Sequence, residues 1–418
     1  MVAQGRLTLI RGGAYGSRPS TTQEAIAELI ADLVRFPTQG GIDPQEPALR
    51  FLAAWLEQFG VPVRILEAPH RKPKNRALGL LAEIGPPRGP VYCLTACLDT
   101  ALFGTADTWE GRTPTSATVT ADGWLLGRGS ADSKAGVAIF STLMAELKQK
   151  EHLLGGRILL LIDSDEHTGR FGAVKSLVRI YKRLHGVFIG YPGNDSIKIG
   201  ARGFYRGRVS FFGVASHSGA ARPASQNAVE RAAYFIHILQ NSPLSGGEVS
   251  GRFELGAQRT VTAISGGRGY STVPDYCFVR VDYRLTPSFT LSDARQNLRS
   301  AVEQVDRDMP TSRGSRINAE QSWPAYKLDP RSRLVQALAS AAEEELGRIP
   351  DLRVSGPSNV GNFLSAAGID ATCGFGVTHR NIHAANEAIM LSSITPVYRA
   401  YMRAILDLCK GAETGAGS

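Results

Sequence analysis

The chain has 418 residues, 43% of them hydrophobic, and a formal net charge of +9. Single cores stop growing beyond about 250 to 300 residues, so two domains are expected. The basic residues are scattered rather than gathered in one run, which argues against a nucleic-acid partner and for attraction to small anionic molecules.

No apolar run reaches the ~18 residues of a membrane span, and the N-terminus carries no signal-peptide block, so no membrane partner and a cytoplasmic location are expected. Cys93, Cys97, Cys277, Cys373 and Cys409 are odd in number and form no Cys-x-x-Cys pair, which predicts neither a disulfide framework nor a zinc knuckle. Residues 1–20, with Gly12-Gly13 and three arginines, read as an extension ahead of the fold.

Thr21-Thr22 followed by Gln23-Glu24 and the periodic Ile26, Leu29, Ile30 and Leu33 predicts a capped amphipathic helix that ends before Pro37. A second helix is expected over 44–59, with Leu49, Leu52, Trp55 and Leu56 on one face and Gly60 as its stop. The short apolar runs 91–98, 158–162 and 187–189, separated by helical patterns, predict buried strands of a mostly parallel sheet. Ligands of such sheets gather at the carboxyl ends of the strands. Asp99, Glu166, His167 and Tyr191 all follow such ends, which places them on one rim.

From about Gly203 the pattern changes. Runs 204–214, 259–264 and 276–285 predict strands, and 226–240 and 291–305 predict helices, together an α+β insert with a small antiparallel sheet. Helices are expected again over 331–346, 359–367 and 393–408, around a strand at 371–375. The expected fold class is therefore α/β: a mostly parallel mixed sheet flanked by helices over 21–203 and 316–418, interrupted by the α+β unit at 204–315.

Four clusters carry chemistry. Cys97-Leu98-Asp99-Thr100 closes one apolar run and Asp165-Glu166-His167-Thr168-Gly169 closes another. The Gly-rich turn from Gly127 to Gly136 delivers Asp132, with Lys134 two residues later, and the segment 381–387 contains His383. A Gly-rich turn alone is a weak signal, since it serves phosphate binding, metal ligation or plain connection equally.

The order and context of these clusters resemble the acetylornithine deacetylase, succinyl-diaminopimelate desuccinylase and aminoacylase family of metal-dependent hydrolases, over roughly the whole chain from Thr21 to Leu408. The resemblance implies a zinc-exopeptidase-like catalytic domain with an inserted lid that dimerises. It also implies that Asp132 is the metal-bridging aspartate, Glu166 the catalytic acid–base and His383 the last ligand. Three departures stand out: Cys97 replaces the family's first His, His167 its second Glu, and Tyr191 a carboxylate.

Asp132, His167 and His383 would supply one carboxylate and two imidazoles, a set suited to a divalent Zn, Mn, Fe or Co ion. A thiol is often simply buried, and a phenol must lose a proton of pKa near ~10 before it ligates. Cys97 is accordingly expected to be inert, the family's first metal position empty, and one ion bound per subunit. Asp99 would brace the site from behind the ligands.

His217, in Ala215-Ser216-His217-Ser218-Gly219, matches the family's lid histidine that stabilises the oxyanion across a dimer. Arg202 and Arg284 are candidate clamps for a substrate carboxylate or ordinary surface arginines. Asn359 either lines the pocket or caps a helix; Tyr191 is a further candidate substrate contact.

The resemblance implies metal-dependent hydrolysis of a C–N bond in a small carboxylate-bearing molecule, and overall similarity to aminohydrolases, not any spacing or composition, points to ammonia release from an amino-substituted aromatic acid. Amide or peptide hydrolysis is the alternative within the class, and a catalytically silent binding or assembly module the alternative outside it. A homodimer or higher homo-oligomer is expected.

Overall fold

The apolar runs near the start of the chain assemble into a five-stranded sheet, ordered Val63–Glu67, Ala77–Ile84, Arg157–Asp163, Val91–Cys97 and Gly186–Ile189. The structure is a computed structural model and describes residues 21–68, 76–221, 223–244, 253–372 and 374–410. The extension 1–20 and Cys373 lie outside the described residues.

Ala77–Ile84 is antiparallel to both of its neighbours, while Val91–Cys97 is parallel to Arg157–Asp163 and to Gly186–Ile189. Four of the five strands thus run the same way, which makes the sheet mixed and mostly parallel. Its central strands are almost wholly buried, as their unbroken apolar runs require.

The first helix, Thr22–Arg35, is capped by Thr21, whose side chain accepts the Glu24 amide. Helix Ala135–Gln149 buries eleven of its fifteen residues, so it is an interior helix and not a surface one. Helices Arg333–Leu346 and Ile394–Cys409 pack on each other. No helix among the described residues is long and apolar enough to cross a membrane.

The chain divides into two compact units. One consists of the described residues within Met1–Ile199, Leu328–Arg353 and Ala367–Ser418; the other consists of those within Gly200–Lys327 and Val354–Ala366. The insert expected at 204–315 is shorter than this unit at both ends and lacks Val354–Ala366, which the expectation gave to the first unit. The difference lies in strand Arg316–Trp323, which pairs antiparallel with Gly203–Phe212 and completes the second sheet. Its polar residues Asn318, Glu320 and Gln321 hide it from an apolar-run criterion.

That second sheet is antiparallel, ordered Gln258–Gly266, Tyr276–Leu285, Gly203–Phe212 and Arg316–Trp323. Alternate residues Val209, Phe211, Val279, Val281 and Tyr283 join Phe235 and Leu298 of helices Ala228–Asn241 and Leu291–Asp308 in one core. Asn227 caps the first of these helices, and Thr290 with Asp293 forms a capping box on the second.

The strand expected at 371–375 is not a strand. Only isolated bridges form there, Ala371 with Val187 and Gly374 with Lys198. Gly374 sits at φ +140, and a Cβ on it would meet the Tyr191 Cβ at 2.9 Å, so the chain leaves extended geometry at that point.

Candidate active site

Parallel pairing sets the rim of the first unit. Cys97 lies opposite Asp163 in register, so Asp99 and the turn carrying Glu166 and His167 leave neighbouring strands side by side. Asp99 is fully buried and accepts the backbone N–H groups of Glu166 at 3.0 Å and His167 at 2.8 Å. One carboxylate thereby holds the backbone of both residues of the turn. Tyr191, past the end of the next parallel strand, donates its hydroxyl to Glu166 Oε1.

The Gly-rich turn brings Asp132 to the same place. Gly136 lets its helix press against the strand end at Gly190, because a Cβ at Gly136 would fall 2.2 Å from the Gly190 carbonyl oxygen. The Asp132–Ser133 peptide is cis. Ser133 ties the turn to the first rim strand, accepting the Cys97 N–H at 3.1 Å and donating to the Cys97 carbonyl at 3.2 Å. Lys134 points inward and donates to the Leu33 and Phe36 carbonyls at the end of the first helix, each at 2.9 Å. Burial pulls its pKa down to about 7.

Asp132 Oδ2 lies 2.8 Å from His383 Nε2 and 3.7 Å from His167 Nε2. The two imidazole rings are 5.3 Å apart. One ligand atom each from Asp132, His167 and His383 falls within 4.8 Å of the others, and Asp132 Oδ1 is buried with no hydrogen-bond partner among the described residues. An unpartnered carboxylate oxygen beside two imidazoles fits a divalent ion. A second group, Cys97, Asp99 and His167, meets the same distance limit. Its donors are poorer: Asp99 is occupied by two amides, and burial followed by the charges of Glu166, Asp132 and Asp99 pushes the Cys97 thiol far up.

Charges in this small space perturb one another. Burial alone would raise the Asp132 carboxyl, but hydrogen bonding to His167 and His383 outweighs it and holds the group below the usual carboxylate range. Burial would lower His167, yet the carboxylates of Asp132 and Asp99 push it up to about 11. Glu166 is raised to about 7, first by burial and then by the Asp132 charge, with His167 and the Tyr191 hydrogen bond opposing.

The remaining candidates belong to the second unit. His217 is exposed, and its Nδ1 accepts the Gly219 N–H at 3.1 Å, which leaves the ring proton on Nε2 in the neutral form. Arg202 is largely buried and donates to the Gly356 and Gly256 carbonyls, with the Asp282 carboxylate acting on its charge. Arg284 pairs with Asp282 at 2.9 Å. Both arginines line a cavity of about 670 Å³ within this unit, together with Arg206, Arg280, Asp282 and Glu320. Asn359 accepts the Gly361 N–H at 2.8 Å and so serves as a helix cap.

The sequence reading assigned nothing to Arg128 or Glu387. They form a buried ion pair whose carboxylate also accepts amides of the Asp132 turn. The signal was present: a lone Glu opens the apolar strand Ala388–Met390, and a lone Arg stands between Gly127 and Gly129.

A mixed α/β sheet whose rim carries Glu166 and His167, beside Asp132 of the Gly-rich turn and His383 of a later loop, offers the donors and the base of a metal-dependent hydrolase. A profile of Peptidase family M20/M25/M40 matches residues 96–407. The chain belongs to this family and is a metal-dependent hydrolase of C–N bonds. It is 26% identical to succinyl-diaminopimelate desuccinylase of Rhodospirillum centenum, over 92% of this chain and 97% of that protein. The same enzyme of Gluconacetobacter diazotrophicus is also 26% identical, over 90% and 96%. In fold the chain resembles aminopeptidase PepT from Bacillus cereus, with a TM-score of 0.72, 20% identity and coverage of 93% and 99%. An M20 family metallo-carboxypeptidase from Sulfolobus solfataricus also has a TM-score of 0.72, at 17% identity and coverage of 92% and 99%.

Proposed function

We propose that the protein is an aminohydrolase that replaces the amino group of an amino-substituted aromatic acid by hydroxyl and releases ammonia, similar to 5-nitroanthranilate aminohydrolase, which forms 5-nitrosalicylate. The observation that carries this reading is Tyr191. It stands where the family has a carboxylate and is hydrogen-bonded to Glu166, so among the described residues Asp132, His167 and His383 make the better of the two donor groups and favour a single ion. Amide cleavage draws on two ions to stabilise the tetrahedral oxyanion. A ring nitro group takes up the negative charge that builds when water's oxygen adds to the ring, which lessens that need.

Asp132, His167 and His383 would hold the ion, one per subunit. When bound, a divalent ion acts as a Lewis acid that makes water nucleophilic near neutral pH. Glu166 takes the water's proton as the C–O bond forms and returns it to the nitrogen as the C–N bond breaks. Its pKa near 7 suits both transfers. Tyr191 fixes Glu166 Oε1 and leaves Oε2 for the exchange. Arg202, which donates to two backbone carbonyls, and Arg284, which pairs with Asp282, clamp the substrate carboxylate. His217 donates from Nε2 to developing negative charge, supplied by the partner subunit of a dimer.

A second reading, hydrolysis of an N-acyl amino acid, is favoured by the similarity to succinyl-diaminopimelate desuccinylases. Ammonia release from a panel of anthranilates, set against amine release from N-acyl amino acids with added divalent ions, separates the two. Turnover of the acyl compounds alone would overturn the aromatic proposal.

A further inference from the structure

Glu387 and Arg128 lie four residues from His383 and four from Asp132, and both side chains are buried, at 1% and 2% exposure. Arg128 Nη1 donates to Glu387 Oε2 at 2.8 Å. The same oxygen accepts the Gly129 N–H at 3.0 Å, and Oε1 accepts those of Ala131 and Asp132, each at 3.0 Å. A single carboxylate therefore gathers three amides of the Gly-rich turn, including the amide of Asp132 itself.

Backbone pairing puts the carboxylate there. Strand Ala388–Met390 runs antiparallel to Trp124–Leu126, with Ala388 opposite Leu126, and the Gly127 N–H donates to the Glu387 carbonyl at 2.9 Å. Arg128 then reaches the other loop, its Nη2 lying 3.4 Å from the His383 carbonyl oxygen. The buried Trp109 ring, 5.3 Å from the guanidinium, limits where Arg128 can move. His383 itself sits at φ +62 between Asn381 and Asn386, both also left-handed, so its loop holds a conformation that needs outside support.

We propose that Arg128 and Glu387 are a positioning pair that sets the distance between Asp132 and His383 and thereby tunes the affinity of the site for a divalent ion. The pair joins the two loops whose side chains meet at 2.8 Å, yet neither member belongs to the group of converging donors Asp132, His167 and His383. Removing groups that orient metal ligands typically weakens metal binding about 10-fold to 100-fold. The inference rests on Asp132, His167 and His383 being the ligand set.

The test titrates Co²⁺ into the metal-free full chain, with visible absorption reporting both affinity and ligand geometry. Glu387→Gln keeps the shape and one acceptor oxygen but removes the charge. It is expected to bind Co²⁺ about 10-fold to 100-fold more weakly and to shift the absorption bands. Arg128→Lys keeps the cation but loses the second contact, and should fall between that variant and the parent. Circular dichroism confirms folding at the titration temperature, and a pair that served stability alone would change the melting temperature but neither Co²⁺ reading.

Parent affinity within threefold and an unchanged spectrum in both folded variants would overturn the proposal. Should Glu387→Gln not fold, Arg128→Lys decides by the same two readings. Asp132→Ala is the control: if it titrates like the parent, the ligand set is wrong, a failure distinct from that of the pair.

Discussion

Replacing Glu166 by Gln isolates the base from everything else at the site. The amide keeps the length of the side chain and presents a carbonyl oxygen to the Tyr191 hydroxyl, so the hydrogen bond at Oε1 survives. The backbone N–H of residue 166 still reaches Asp99, so the turn that carries His167 is unmoved. Only proton acceptance is lost. A positioned general base contributes about 100-fold to 10,000-fold, which at 1.36 kcal/mol per tenfold is roughly 2.7 to 5.5 kcal/mol of barrier. The assay is ammonia release under saturating substrate, paired with metal content of the same sample. The expected result is a loss in kcat of that size with metal content unchanged. A Gln variant within a few-fold of the parent would show that Glu166 is not the base.

The acid limb of the rate profile should lie near pH 7, because Glu166 must be deprotonated to accept a proton and its pKa is raised to about 7. The Tyr191 hydrogen bond opposes that rise, so Tyr191→Phe should move the limb to higher pH; a shift downward refutes the assigned sense of the bond. His383→Ala should lose the ion while retaining its circular dichroism spectrum, and retention of parent affinity would remove His383 from the ligand set. His217→Ala should keep its metal and fold and lose about 100-fold to 1,000-fold in turnover. Mixing His217→Ala with Glu166→Gln subunits should restore part of the rate, and no recovery despite subunit exchange would contradict donation across a dimer.

Much of this site was legible in the sequence because a parallel sheet converts chain order into position. Runs ending at Cys97, Asp163 and Ile189 are neighbouring strands, so residues just after them share a rim, and Asp99, Glu166, His167 and Tyr191 could be placed there from hydrophobic patterning alone. The Gly-rich turn was visible as well, though its closeness to Tyr191 depends on Gly136 meeting Gly190 backbone to backbone, a contact no local pattern reports. Arg128 and Glu387 were passed over because their roles exist only across 259 residues of chain, and each reads singly as an ordinary charge. Strand Arg316–Trp323 was hidden by its polar, half-exposed face. The bridges at Ala371 and Gly374 looked like a strand because apolar content does not register a glycine at φ +140.

The account turns on one ion held by Asp132, His167 and His383, and metal analysis of the full chain after equilibration with a divalent ion tests it most directly. The result expected is one ion per chain in the parent and none in Asp132→Ala. Two stoichiometric ions, with one of them lost in Cys97→Ser or Tyr191→Phe, would contradict it.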